Sequence, residues 1–87
     1  MKALCDAKTK EVAANIRKIR EYRNYTQEYL AAKLNISQNA YSKIELGYSN
    51  ITLQRLICIA EVLEFDVINL INMDHAELLH LKVVKAW

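Results

Sequence analysis

The stretch that decides the fold runs from Gln27 to Leu46 and reads QEYLAAKLNISQNAYSKIEL. Thr26, just before it, and Ser37, inside it, can each serve as an N-cap, accepting hydrogen bonds from first-turn amides that have no partner in the helix. Two short helices are predicted, over 27–34 and 38–46, joined by Asn35-Ile36-Ser37. So short a turn makes them cross steeply rather than run side by side. Leu30, Leu34, Ile36, Tyr41 and Ile44 then converge on a common core, and Ala31 supplies the small side chain where the helices come close.

The same capping device recurs outward from this segment. Thr26, Ser37, Thr52, Asp66 and Asp74 each have an apolar residue just before them and another four positions after: Tyr25 with Leu30, Ile36 with Tyr41, Ile51 with Leu56, Phe65 with Leu70, Met73 with Leu78. This is the spacing of the hydrophobic staple. It divides the chain into further helices near 53–63, 67–72 and 75–86, preceded by a first helix over 9–23 on which Val12, Ile16 and Ile19 form one face. Leu53, Leu56, Ile57, Ile59, Ala60 and Leu63 make the fourth helix unusually apolar, so it is expected to be the most buried, with Cys58 a small hydrophobe inside it. Gly47 follows Glu45-Leu46, where a left-handed residue would end the third helix.

Composition agrees with an all-α chain. Among 87 residues there is one glycine and no proline, whereas average usage would give roughly six and four. Hairpins and long loops lean on those residues. With 53% apolar and 25% charged residues the chain is globular rather than disordered. Its longest unbroken apolar run, Leu56 to Ala60, is far short of a membrane span. There is no signal-peptide pattern, and a cytoplasmic location is expected. Cys5 and Cys58 lie far apart and suit neither a metal site nor a disulfide framework; His75 and His80 find no third ligand, so no metal or cofactor is expected. The net charge of +2 conceals a gradient: residues 1–55 carry ten Lys/Arg against five Asp/Glu, and residues 56–87 carry two against five. A polyanion-facing surface in the front part of the chain is one reading of this asymmetry, and a solvated helix face is the other.

Residues 12–72 resemble the Cro/C1-type helix-turn-helix family of bacterial and phage DNA-binding regulators. The blocks that carry the resemblance are Tyr25 through Ala31, Ile36-Ser37-Gln38, Ser42 through Gly47, and Leu53 through Leu63 ahead of Asp66 through Leu70. The resemblance implies a compact five-helix bundle of the lambda-repressor-like type, with the third helix in the DNA major groove. Residues 1–8 would then be an N-terminal extension, 9–72 the DNA-binding domain and 73–87 a C-terminal tail. Asn35 stands where the family most often has glycine, and asparagine is the next most tolerant of left-handed backbone.

On that third helix Gln38 and Asn39 have amides suited to adenine's N6 and N7, and Lys43 can reach guanine or a phosphate. Gln27, at the start of the second helix, is expected by similarity to bind a phosphate and to brace Gln38. Thr26, Arg20, Arg23, Lys33, Tyr41, Ser42, Tyr48, Ser49 and Asn50 complete the expected backbone contacts, with the Tyr41 ring in the core and its hydroxyl turned outward. The family also implies a partly buried ion pair between Arg20 and Glu45.

The implied function is a sequence-specific double-stranded DNA-binding regulator, most simply a repressor that binds a palindromic operator as a homodimer. The alternative is an antitoxin or inhibitor whose chief partner is a protein, a toxin or an antagonist. No nucleophile-base pairing or phosphate-binding glycine loop points to an enzyme. The tail carries Ala76, Leu79, Val83 and Trp87 near helical spacing; a sixth helix docking on a partner subunit is the first expectation, with packing back on the monomer and a short strand through Val83-Val84 as the alternatives.

Overall fold

The computed structural model describes residues 1–73, which form α1 (Lys2–Tyr22), α2 (Gln27–Leu34), α3 (Gln38–Glu45), α4 (Leu53–Leu63) and α5 (Val67–Asn72), with no strand among the described residues. Four of the expected N-caps are in place. Thr26, Ser37 and Thr52 accept from the amides of Tyr29, Ala40 and Arg55 at 3.0–3.1 Å, and Asp66 accepts from Ile68 and Asn69. Asp74 and the 75–86 helix lie outside the described residues.

The C-terminal ends share a second device. Asn24, Asn35, Gly47 and Glu64 all have left-handed backbone, with φ of 61°, 59°, 78° and 54°. In each case the next residue's amide reaches five residues back: Tyr25 to Arg20, Ile36 to Ala31, Tyr48 to Lys43, Phe65 to Ala60, at 3.0–3.1 Å. These are Schellman turns, which satisfy carbonyls that a helix end would strand. Among the described residues, a chain with one glycine therefore builds four such turns by using asparagine twice and accepting the steric cost of a glutamate once. Arg23 offsets part of that cost. Its Nε donates to the Leu63 carbonyl at 2.8 Å and its Nη2 to the Glu64 carbonyl at 2.7 Å, holding the end of α4 to the end of α1.

An eight-residue helix is too short to persist by its own propensity. α2 and α3 hold because Leu30, Ala31, Tyr41 and Ile44 are buried against Ile16 and Ile19 of α1 and Ile59, Ala60 and Leu63 of α4. Leu70 of α5 and Met73 close the core from the other side. The buried Asn15 donates through Nδ2 to the carbonyls of Leu70 at 2.9 Å and Met73 at 3.1 Å, so one amide satisfies the end of α5 from the middle of α1.

Three expectations change. α1 begins at Lys2 rather than at residue 9. Nothing in Lys2–Lys8 breaks a helix, and Thr9 fits within it by donating its hydroxyl to the Cys5 carbonyl at 2.9 Å. α4 is not the most buried element. It buries Ile59, Ala60 and Leu63, while Leu53 and Ile57, one turn apart, are 71% and 41% exposed. α3 buries three of its eight residues, a larger share, and α1 supplies Val12, Ala13, Ile16 and Ile19 to the core. Cys58 is exposed, because α4 is apolar around most of its circumference but has neighbours on only part of it.

Candidate nucleic-acid interface

α3 has two unlike faces. Tyr41, Ile44 and Glu45 point inward and are buried; Gln38, Asn39 and Lys43 are exposed, with Ser42 half-buried between them. Positions 38, 39, 42 and 43 share one side of a helix. Among the described residues, Gln38, Asn39 and Lys43 use no side-chain atom in a hydrogen bond or ion pair. Their donors and acceptors are free for a ligand.

The inner face is the opposite. Glu45 accepts four hydrogen bonds on its two carboxylate oxygens: Arg20 Nε at 2.6 Å and Nη2 at 3.1 Å, Gln27 Nε2 at 3.1 Å, and the Tyr41 hydroxyl. Arg20 also donates through Nη1 to the Tyr25 carbonyl at 2.8 Å. The ion pair joins side chains that are only 12% and 2% exposed. Burial by itself would raise the Glu45 pKa, but the hydrogen bonds from Arg20, Tyr41 and Gln27 outweigh it and hold the carboxyl below its usual range. Burial, reinforced by the bond to Glu45, pushes the Tyr41 phenol well above its ordinary range. One carboxylate thus ties together α1, the start of α2 and the end of α3, and keeps the exposed face of α3 in a fixed orientation.

The remaining expected contacts lie on α2 and in the α3–α4 loop. Thr26 is exposed at the start of α2, where its hydroxyl accepts from Tyr29 and keeps its proton available to a phosphate. Lys33 is exposed, with its ammonium 5.5 Å from the centre of the Tyr29 ring. Tyr48 and Asn50 are exposed and Ser49 half-buried in the α3–α4 loop. The three other Schellman turns tuck their corresponding residue, Tyr25, Ile36 or Phe65, against the core, whereas Tyr48 is 76% exposed. The turn that ends α3 is the only one of the four to send its aromatic or aliphatic residue outward.

Three side chains go elsewhere than expected. Tyr41 is fully buried and its hydroxyl is turned to Glu45, so it offers nothing to a phosphate. Gln27 braces Glu45 rather than Gln38. The Arg23 guanidinium is occupied by the carbonyls that end α4. Sequence reading also passed over Asn15, although it lies on the side of α1 marked by Val12, Ile16 and Ile19. An amide within an apolar stripe is the signal that could have found it.

The helix-turn-helix family model matches residues 16–68, well over half of the chain. The chain belongs to the Cro/C1-type helix-turn-helix family. The match takes in the Arg20–Glu45 tie, both short helices and α4, and stops within α5. This is a family of DNA-binding regulators rather than of enzymes. Searches of curated proteins and of solved structures returned no match. Among the described residues no helix is long and apolar enough to cross a membrane.

Proposed function

We propose that this protein is a sequence-specific transcriptional regulator, a repressor that binds a palindromic operator in double-stranded DNA as a homodimer. The observation that carries the reading is the exposed face of α3, where Gln38, Asn39 and Lys43 keep their polar atoms free on a helix whose other face is tied down by Glu45. Unpaired amides on a fixed helix can read adenine edges in the major groove, and the lysine can reach guanine or a phosphate. Thr26, Gln27, Lys33, Ser42, Tyr48, Ser49 and Asn50 serve the sugar-phosphate backbone around it. Arg20 acts first as the structural partner of Glu45.

A single eight-residue helix reads only a few base pairs, so two-fold pairing of half-sites about 34 Å apart is the natural arrangement. Leu53 and Ile57 present an apolar strip on α4 that suits a second copy of the chain. Selection of bound duplexes from a random pool tests the reading. Enrichment of a palindrome is expected; no enrichment overturns sequence-specific binding and puts the protein-partner reading first. A monomer mass by gel filtration at micromolar concentration would count against a stable dimer in solution.

A further inference from the structure

Positive charge supplies much of the affinity of a protein for the DNA backbone, and residues 46–52, the loop after α3, contain no lysine or arginine. Two elements outside the loop bring basic residues beside it. Lys10 of α1 lies across Gly47: a Cβ built on that glycine would meet the Lys10 Cγ at 3.1 Å, and the Lys10 backbone is nearly as close. Further along, Lys8 and Thr9 border a shallow cleft with Asn50 and Ile51, so this part of α1 runs beside the loop from one end to the other. On the opposite side Arg55, in the first turn of α4, borders a second cleft with Ala40 of α3 and with Ser49, Asn50 and Thr52.

The two cations are free, unlike others nearby. Lys8 pairs with Glu11 and Arg17 with Glu21, whereas among the described residues neither Lys10 nor Arg55 is in an ion pair. Lys10 is exposed and Arg55 half-buried. The early start of α1 gives Lys10 a fixed place: in a helix beginning at residue 9 it would sit in a fraying first turn, but α1 begins at Lys2 and Lys10 is two turns inside it. Lys10 also lies outside the family match at 16–68.

We infer that Lys10 and Arg55 supply the α3–α4 loop with the phosphate-binding charge it lacks, so that the front half of α1 belongs to the DNA-binding surface. This rests on the DNA-binding reading above. A cation that neutralises a phosphate releases a counterion, and each such contact adds about 0.9 to the steepness with which log affinity falls against log salt concentration.

The test measures binding of the full chain to a fluorescent mixed-sequence DNA duplex across a salt series. Lys10→Gln and Arg55→Gln are each expected to reduce the slope by about 0.9, and the double variant by about 1.8. Lys10→Arg should keep the wild-type slope. Arg17→Gln is the control, because it removes the same charge elsewhere on α1 and should leave the slope unchanged. Melting curves confirm that the variants are folded. Unchanged slopes for Lys10→Gln and Arg55→Gln beside a salt-dependent wild type would overturn the assignment alone. An equal drop in Arg17→Gln would also overturn it, by making the effect one of net charge. A wild-type chain whose binding does not depend on salt would overturn the DNA reading and this assignment with it.

Discussion

Tyr41 and Ser42 are neighbours on α3, yet they belong to surfaces governed by opposite requirements. On the inner face every polar atom has a partner: Glu45 accepts from Arg20, Gln27 and Tyr41, and among the described residues no buried side-chain N or O is left without a hydrogen bond. On the outer face Gln38, Asn39 and Lys43 have none among the described residues. Out of water, an unpaired polar group costs free energy, so the inner face has to be complete for the helix to stay in place. In water the cost vanishes, and an unpaired group is simply available. The difference shows that rigidity and readiness to bind are separated across one helix, and substitutions on the two sides should act on different measurements.

The largest effect is expected from breaking the inner face. Glu45→Ala strands the Arg20 guanidinium and should lower stability by about 3–5 kcal/mol, read as a marked fall in melting temperature. An unchanged melting temperature would show that the tie contributes nothing. Tyr41→Phe removes one donor to a buried carboxylate while keeping the ring, and a loss of about 1.5–3 kcal/mol is expected from denaturant unfolding.

The outer face should give the reverse pattern. Gln38→Ala should change stability by less than about 0.5 kcal/mol but cost about 1–3 kcal/mol of discrimination at one base pair. A comparable loss of stability would mean that the outer face also has a structural role.

The smallest effect at neutral pH is the acid limit of the tie. The folded-state pKa of Glu45 is lowered, so its contribution is fully present above the unfolded value and is lost as pH falls through the folded one. Acid titration of stability should therefore show a component below the ordinary carboxylate range that disappears in Glu45→Gln. Its persistence in that variant would assign it to another group.

Much of this could be read from the residues. Thr26, Ser37, Thr52 and Asp66 marked their helix starts because a cap is local, involving one side chain and an amide two or three residues on. Gly47 and Asn35 marked two helix ends for the same reason. What escaped was whatever depends on distant neighbours. The apolar residues of α4 gave no sign of which would face outward, because Leu53 and Ile59 differ in packing rather than in character. Arg23 was read as a DNA contact, because its sequence neighbours give no sign of its carbonyl partners, which are 40 and 41 positions away. Glu64 gave no turn signal, since glutamate rarely adopts left-handed backbone.

The Asn15 clasp has a kinetic meaning as well. It joins positions 55 and 58 residues apart, whereas the caps and turns that shape each helix act within five. Such a contact closes a long loop and has little to reward it until the intervening helices have assembled, so it belongs to the late part of folding. Removing the amide with Asn15→Ala should therefore speed unfolding and leave the refolding rate nearly unchanged. Once formed, the clasp fixes the end of α5 and Met73 relative to the middle of α1, so an assembled domain would hold that corner shut until the whole bundle opens.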